Sequence, residues 1–499
     1  MKKTVILFVL DGWGHREDHK DNAILAAETP VFDNLWKTYP HTLLKASGLA
    51  VGLPEGQIGN SEIGHTAIGA GTVVYTDLVR INKEIEDGKF GENQILQKAF
   101  KHVKDNNSTL HLLGLVSHGG VHSSEDHLLE IIRQAKKFGV SQVAIHVFTD
   151  GRDVGPESGS GYVKELEDLM ADLHLGQIHT LSGRYYAMDR DHNYDRTAKA
   201  EQAIFLHQGQ LSKLSPSEQL KESYRNGITD EYVEPVVFGD QTKIINENDA
   251  IFFFNFRADR ARQLSERIVE NIKAKNIYFA SMTDYGDEFS IDSAYPDIEI
   301  KETLGKVISD AGLKQTHVAE TEKFAHATYF LNGGREDPYK NEKQIIIPSR
   351  KDVKTHDQAP EMKAKEIADV VIKEIEAGQD FIFINFANAD MVGHTSNVPA
   401  IVVAVETVDR ELGRILEALE KTGGVAFVTA DHGNAELNKD TEGNPHTAHT
   451  TNLVPAIITD KILSLKDGGG LANVAPTILE IMGLTKPVEM QAESLLLTK

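Results

Sequence analysis

The sequence predicts an α/β protein of two domains, each built on a mainly parallel sheet flanked by helices. The chain has 499 residues, more than a single hydrophobic core usually accommodates. Short apolar runs alternate along it with longer, charged stretches of helical character. This alternation is typical of parallel sheets whose faces are covered by helices.

Seven apolar runs are the clearest strand candidates: residues 5–10, 110–116, 142–148, 178–181, 250–255, 381–386 and 425–429. Nearly all of them end in polar residues of the types that enzymes use in catalysis. Ligands of open parallel sheets bind beyond the carboxyl ends of the strands. The sequence therefore predicts functional sites at these strand ends.

The runs form two groups that differ in the polar residues at their ends. The runs near the two chain ends lead into Asp11, Asp390 and Asp431. The four runs in the middle lead into segments that offer arginine with Asp and His: residues 118–122, 150–153, Arg184 and Arg257. We therefore expect one domain, residues 1–76 and 297–499, to be interrupted by an inserted domain, residues 77–296.

Composition excludes several function classes. The formal net charge of -23 argues against a nucleic-acid partner, which requires a positive surface. The absence of cysteine excludes disulfides, thiolate metal sites and cysteine nucleophiles. The short apolar run at the N-terminus leads into Asp11-Gly12 rather than a signal cleavage site, and no run approaches the roughly 20 apolar residues of a membrane span. We expect a cytoplasmic protein without a membrane partner.

The residues at the ends of the outer runs are typical metal ligands. Asp390 and His394 are four residues apart, which places both side chains on one face of a helical turn. Further Asp and His side chains of this kind are Asp11, Asp431, His432 and His449. Each of them alone is more often a helix cap or a core or surface residue. Together at strand ends they indicate a site for Mn, Zn or another first-row divalent ion.

Ser61 lies in a glycine-rich segment, Gly59-Asn60-Ser61-Glu62-Ile63-Gly64-His65. It has two interpretations, a helix N-cap or a nucleophile. A capping box would place Glu or Gln three residues later, where the chain has Gly64. A serine hydroxyl at a helix start and beside a metal ion would have its alkoxide stabilised by both. This favours the nucleophile.

Five segments together resemble the cofactor-independent phosphoglycerate mutases, a family of the alkaline phosphatase superfamily. They are the segment around Ser61, Leu10-Asp11-Gly12-Trp13-Gly14, Asp150-Gly151-Arg152-Asp153, Asn255-Phe256-Arg257-Ala258-Asp259-Arg260 and Thr429-Ala430-Asp431-His432-Gly433-Asn434. The resemblance extends over essentially the whole chain. It implies interconversion of 3-phosphoglycerate and 2-phosphoglycerate through a phosphoserine, without 2,3-bisphosphoglycerate.

The resemblance also implies two divalent metal ions, usually manganese, although zinc and cobalt accept the same ligands. The first metal would be held by Asp11, Ser61, Asp431 and His432, and the second by Asp390, His394 and His449. Lys323 is a candidate for balancing the charge of the substrate phosphate. The outer domain would then be the metal-binding, phosphatase-like one, and the enzyme would be a monomer.

The inserted domain would bind the phosphoglycerate. Arginine binds carboxylate and phosphate through a planar fork, so several arginines suit a small, doubly anionic substrate. The candidates are Arg152, Arg184, Arg190, Arg257 and Arg260. The resemblance points to Asp153 as the general acid and base for the glycerate hydroxyls, with His122 lining the same site.

Two alternatives remain open from the sequence. One is another enzyme of the same superfamily: a phosphatase, nucleotide pyrophosphatase, sulfatase or phosphopentomutase. The segment around Ser61 lacks the Pro and Arg pattern of sulfatases, and phosphopentomutases usually have a smaller insertion. The other is a catalytically silent metal-binding or carbohydrate-surface protein, which the complete set of ligands, nucleophile and arginines argues against.

Overall fold

The computed structural model describes residues 3–239, 245–273 and 275–497. The chain divides into two compact units. We call Met1–Thr76 with Ile298–Lys499 the outer unit, and Asp77–Asp297 the middle unit.

The strands of the described residues are, in chain order, β1 (Val5–Leu10), β2 (His41–Leu44), β3 (Leu110–Leu115), β4 (Val143–Thr149), β5 (Gln177–Gly183), β6 (Gln210–Ser212), β7 (Val236–Phe238), β8 (Ala250–Phe253), β9 (Tyr278–Thr283), β10 (Asp292–Tyr295), β11 (Gln315–Glu320), β12 (Glu342–Ile347), β13 (Phe381–Phe386), β14 (Val425–Thr429) and β15 (Val454–Ile458).

The α-helices of the same residues are α1 (Ala23–Ala26), α2 (Pro30–Thr38), α3 (Ser61–Ala70), α4 (Asp77–Glu86), α5 (Gln94–Asn106), α6 (Glu125–Phe138), α7 (Gly159–Leu173), α8 (Arg184–Ala187), α9 (Tyr194–Leu206), α10 (Pro216–Arg225), α11 (Arg262–Ile272), α12 (Leu304–Asp310), α13 (Ala364–Glu376), α14 (Asn388–Gly393), α15 (Val398–Thr422) and α16 (Val474–Ile481).

The outer unit contains a seven-stranded sheet of order β12-β11-β13-β1-β14-β15-β2. Its first five strands are parallel, and β15 and β2 add antiparallel pairs at one edge. The three central strands β13, β1 and β14 are buried along their whole length. Burial on both faces explains why these segments are continuous apolar runs in the sequence rather than alternating ones.

The middle unit contains an eight-stranded sheet of order β10-β9-β8-β3-β4-β5-β7-β6. Strands β10 to β5 in that order are parallel, and β7 pairs antiparallel with β5. Apolar side chains from α5, α6 and α7 pack with its strands in one buried cluster. The predicted fold class, α/β with two mainly parallel sheets flanked by helices, is confirmed.

All seven predicted apolar runs form strands, with ends that differ from the predicted ones by no more than two residues. No helix in the described part of the chain has the length and apolar character needed to cross a membrane.

Candidate active site

The register of the outer sheet brings three predicted site segments to one edge. Leu10 of β1 lies opposite Phe386 of β13, and Val9 lies opposite Thr429 of β14. These parallel strands therefore end side by side, and the chain after each end carries Asp11, Asp390 or Asp431. The backbone N–H of Asp11 continues the ladder by donating to the carbonyl of Phe386 at 3.1 Å.

Gly12 allows the loop after β1 to approach α14. Its φ angle is +76°, and a Cβ at this position would lie 2.6 Å from the Cα of Asp390. An L side chain is disfavoured by the angle and would force the two backbones apart. Glycine is thus required for Asp11 and Asp390 to lie close together.

The first acid–imidazole group consists of Asp390, His394 and His449. The Nε2 atoms of both histidines lie 3.2 Å from Oδ1 of Asp390, and 3.2 Å from each other. Each Nδ1 instead faces a backbone carbonyl, that of Thr447 at 2.7 Å for His394 and that of Gly59 at 2.9 Å for His449. Such bonds fix the ring orientation and leave Nε2 for a metal ion.

The second group consists of Asp11, Asp431 and His432, all fully buried. Nε2 of His432 lies 3.6 Å from Oδ1 of Asp11 and 3.4 Å from Oδ2 of Asp431. The two groups adjoin, because the rings of His432 and His449 stack with centroids 3.7 Å apart.

Ser61 is the first residue of α3, and it is not the helix cap. Asn60 fills that role, because its side chain accepts a hydrogen bond from the backbone N–H of Ile63. The Ser61 hydroxyl is thereby free to face the two groups: its Oγ lies 2.9 Å from Nε2 of His432 and 3.4 Å from Oδ1 of Asp11. The cap interpretation of Ser61 is therefore wrong.

Lys323 follows β11 in a short 3-10 turn, and its ammonium group is buried among the same residues. It donates to Oδ1 of Asp11 at 2.7 Å, to Oγ of Ser61 at 2.7 Å and to Oδ2 of Asp390 at 2.6 Å. Burial lowers the pKa of Lys323, but the carboxylates of Asp11 and Asp390 outweigh this effect and hold the pKa above its ordinary value. The lysine is thus a fixed positive charge beside the serine.

The donor set fits divalent metal ions. Burial and the neighbouring carboxylate of Asp431 raise the pKa of Asp11, whereas Lys323 lowers the pKa of Asp390 and His432 lowers that of Asp431. Oδ2 of Asp431 is buried and lies 3.3 Å from Nδ1 of His65 and 3.4 Å from Nε2 of His432, in neither case with the geometry of a hydrogen bond. Carboxylate oxygens with imidazole nitrogens and no sulfur match the preferences of Mn, Zn and Co.

Three residues that contact the cluster were not predicted from the sequence as site residues: His65, Asn385 and Asn434. Nδ2 of Asn385 donates to Oδ2 of Asp11 at 2.7 Å. Nδ2 of Asn434 donates to Oδ1 of Asp390 at 2.9 Å. Asn385 was detectable, since it is the one polar residue in the apolar run 381–386, and a buried amide needs a partner.

The middle unit brings together part of the predicted anion-binding set. Arg184, the buried first residue of α8 directly after β5, donates to Oδ1 of Asp150 at 2.7 Å and to Oδ2 of Asp153 at 2.6 Å. His122 lies beside this pair, with Nε2 at 3.6 Å from Oδ2 of Asp153. Burial and the positive charge of Arg184 lower the pKa of His122 to about 4, so its ring is neutral near pH 7.

Asp259 was not predicted from the sequence, and it contacts two further arginines of the predicted anion-binding set as well as His122. Its carboxylate lies 2.8 Å from Nη1 of Arg190, 3.1 Å from Nε of Arg257 and 3.7 Å from Nδ1 of His122. Arg260 instead donates to the carbonyl of Met188 at 3.1 Å. The side chain of Arg152 is 55% exposed and pairs at 3.7 Å with Glu231, an acid outside the set of Asp150, Asp153 and Asp259.

Comparisons with known proteins identify the family of the chain. The model of the metalloenzyme superfamily matches residues 3–486. Curated proteins named 2,3-bisphosphoglycerate-independent phosphoglycerate mutase are 47% identical in Listeria innocua and 44% in Staphylococcus epidermidis, each over 99% of both chains. A protein of Methanosarcina acetivorans with the same name and the suffix 1 is 48% identical over 99% of both chains.

A solved structure shows the same likeness in three dimensions. The phosphoglycerate mutase of Leishmania mexicana, crystallised at low cobalt concentration, superposes with a TM-score of 0.55 and 29% identity. The match covers 100% of this chain and 98% of the Leishmania chain. The chain therefore belongs to the 2,3-bisphosphoglycerate-independent phosphoglycerate mutase family, within the metalloenzyme superfamily.

Proposed function

We propose that this chain interconverts 3-phosphoglycerate and 2-phosphoglycerate without 2,3-bisphosphoglycerate, and that Ser61 carries the phosphoryl group between the two half-reactions. One observation carries the proposal. The Ser61 hydroxyl lies 2.7 Å from the Lys323 ammonium and 2.9 Å from His432, at the edge where both acid–imidazole groups meet.

The proposal includes two metal ions, most readily Mn²⁺, with Zn²⁺ or Co²⁺ as alternatives. Asp11, Ser61, Asp431 and His432 would hold one, and Asp390, His394 and His449 the other. Two bound ions would supply Lewis-acid stabilisation of the phosphoryl oxygens and of the attacking and leaving oxygens. We accordingly assign metal binding to the domain formed by residues 1–76 and 297–499.

The residues of the chain supply the rest of the chemistry. In the first transfer, Oγ of Ser61, present as the alkoxide that bound metal would stabilise, bonds to phosphorus while the bond from phosphorus to the glycerate oxygen breaks. Lys323 places a positive charge beside Ser61 and so offsets the charge of the incoming phosphate. The second transfer reverses these steps, with the other glycerate hydroxyl attacking the phosphoserine.

We assign substrate binding to the domain of residues 77–296. Asp153 would protonate the leaving glycerate oxygen and then deprotonate the attacking one. The arginine forks would bind the carboxylate of the glycerate and keep it from leaving. The residues proposed for this role are His122, Arg152, Arg184, Arg190, Arg257 and Arg260. Retention of the glycerate is what distinguishes a mutase from a phosphatase.

The experiment follows purified protein, Mn²⁺ and 3-phosphoglycerate by ³¹P NMR without any bisphosphoglycerate, with ¹³C-labelled glycerate present in excess. We expect 2-phosphoglycerate to form without label. Release of inorganic phosphate as the main product would indicate a phosphatase. Extensive entry of label into phosphoglycerate would contradict the retention of glycerate.

We further propose that the enzyme acts as a monomer in the cytoplasm, as suits an enzyme of glycolysis. Light scattering of the purified protein tests the first point, with particles of 55.1 kDa expected. A mass twice as large would contradict it.

A further inference from the structure

The middle unit contains a third group of acidic and imidazole side chains, which the proposed mechanism does not use. His118 lies in the loop after β3, Glu125 begins α6 and Glu165 lies on α7. One ligand atom from each residue lies within 4.8 Å of the other two.

Glu125 is the unusual member of this group. Its side chain is fully buried, yet neither carboxylate oxygen has a hydrogen-bond partner among the residues that the structure describes. Nε2 of His118 lies 3.1 Å from Oε2, but without the geometry of a hydrogen bond. Burial, together with the charges of Glu165 and Asp126, raises the pKa of Glu125 to about 8. At this pKa Glu125 holds a proton near pH 7, and a bound cation would take the place of that proton at two buried oxygens that have no hydrogen-bond partner among the described residues.

Two of the three distances between the ligand atoms can be compared with those around a small divalent ion. Nε2 of His118 lies 3.1 Å from the Glu125 oxygen and 3.9 Å from the Glu165 oxygen. Tetrahedral zinc with ligands at about 2.0–2.1 Å separates neighbouring ligand atoms by about 3.4 Å, which lies between these two values. The His118 ring is also held in place, because it stacks on Tyr162 with centroids 5.0 Å apart.

We propose that His118, Glu125 and Glu165 form a cation site for Zn²⁺ or a similar borderline divalent ion, separate from the two groups of the outer unit. One imidazole and two carboxylates leave a coordination position for water, as in three-ligand zinc sites.

An ion bound at this site would restrain the loop that carries His122, the residue four positions after His118. One backbone hydrogen bond already connects the loop to α6: the N–H of Glu125 donates to the carbonyl of Ser117 at 3.0 Å. Beyond it, the carbonyl of His122 accepts from the N–H of Phe256 at 2.9 Å. An ion would add a link from this loop to α7 through Glu165.

Equilibrium dialysis of the full chain against Zn²⁺ tests the site by counting bound ions. The test variant is His118→Gln with Glu165→Gln; these side chains are 48% and 59% exposed, so the fold tolerates the change. Asp172→Asn is the matched control, an exposed acidic residue on the same helix. Because the outer unit's groups also accept zinc, the informative quantity is the difference between proteins.

We expect the wild type and the control to bind one Zn²⁺ more per chain than the double variant. Equal numbers in all three proteins would overturn the proposal. Crystals grown with zinc provide a second measurement. We expect an anomalous peak about 2.0–2.2 Å from Nε2 of His118 and from a Glu125 oxygen. No peak at this group, alongside occupied groups in the outer unit, would also overturn it.

Discussion

The two predicted sites differ most in how far water reaches their charged groups. In the outer unit, Asp11, Asp431 and His432 are each 0% exposed. In the middle unit, the side chains of Arg190 and Arg257 are 46% and 50% exposed, although that of Arg184 is 3% exposed. The dehydrated donors Asp11, Asp431 and His432 suit an ion that remains bound, since electrostatic interactions strengthen where water is excluded, whereas His394 of the other acid–imidazole group is 41% exposed. Half-exposed arginines suit an anion that must enter and leave during every turnover.

The two sites also differ in the kind of backbone segment that carries their residues. The acidic groups of the outer unit follow three adjacent strands of one sheet, and Gly12 fixes the distance between two of these segments. Arg257 and Asp259 instead lie at and within a short 3-10 turn, Ala258–Arg260. We therefore expect changes in the outer unit to reduce metal binding and catalysis together, and exposed changes in the middle unit to weaken substrate binding alone.

The largest effect is expected from Ser61→Ala. Removing a nucleophile lowers kcat by a factor on the order of 10⁴ or more, because no other group takes over the covalent step. A coupled assay of 2-phosphoglycerate formation measures it. Thr66→Ala, on the same helix, is the control and should retain nearly full activity, since its hydroxyl only donates to the carbonyl of Glu62.

Next in size is the effect of Asp390→Asn on metal binding. The substitution removes the charge that both His394 and His449 approach at 3.2 Å. We expect metal affinity to fall by more than 10-fold, in view of the 10–100-fold losses seen for groups that only support a ligand. Metal analysis after dialysis measures the loss, and chelation of the wild type should abolish activity until Mn²⁺ is restored. Unchanged metal content in the variant would refute the assignment.

Gly12→Ala tests whether backbone approach holds the outer cluster together. A Cβ would lie 2.6 Å from Asp390 Cα at a φ of +76°, so we expect a loss of about 3 kcal/mol in the free energy of unfolding, with weaker metal binding. Gly378→Ala is the control: its φ is +72°, but nothing in the described chain lies within 4 Å of the added Cβ. It should cost about 1 kcal/mol and leave metal binding unchanged. Equal losses in both variants would contradict the close-approach argument.

Two arginines of the middle unit, both assigned to substrate binding, differ in their expected effect on stability. Arg184→Ala leaves the buried Asp150 carboxylate without its cation, which should lower the free energy of unfolding by about 3 kcal/mol.

Arg257→Ala removes a half-exposed partner of Asp259 and should change stability by less than about 1 kcal/mol. It should instead raise KM for phosphoglycerate by roughly 10-fold or more. Denaturant titration and steady-state kinetics distinguish the two outcomes.

The smallest perturbation is titration of His122, which needs no substitution. Since burial and Arg184 lower the pKa of His122 to about 4, its NMR signals should shift near pH 4. The unfolded chain binds this proton below about pH 6.5. The group's contribution to stability should therefore decline as pH falls from about 6.5 to 4. A midpoint near 6.5 in the folded protein would contradict its burial beside Arg184.

Much of the fold followed from sequence because its central strands are buried on both faces. β1, β13 and β14 are uninterrupted apolar runs, and their bounds agree with the predicted ones. Strand β12 was not predicted, because it lies at a sheet edge and its residues are only partly buried or exposed. Pairing with β11 rather than an apolar pattern makes it a strand.

The candidate site also contains residues that a local sequence pattern predicts and residues that it does not. The ligands that directly follow strands, such as Asp11 and Asp431, were predictable because the sheet order fixes where strand ends lie. Residues that act through other residues were harder to predict. Asp259 contacts His122 and two arginines. One of these, Arg190, is more than 65 residues away in the sequence, and no local pattern predicts such a contact. Asn60 rather than Ser61 caps α3, since an Asn at the position before a helix caps as well as Ser does.

The most direct test of the central claim is to identify the residue that carries phosphate during turnover. The wild-type protein, loaded with Mn²⁺, is mixed with 3-phosphoglycerate, quenched in acid within milliseconds and analysed by peptide mass spectrometry. We predict phosphate on Ser61 at a level that rises and reaches a plateau during the first turnover. Turnover without phosphate on Ser61, or with phosphate on another side chain, would contradict the account.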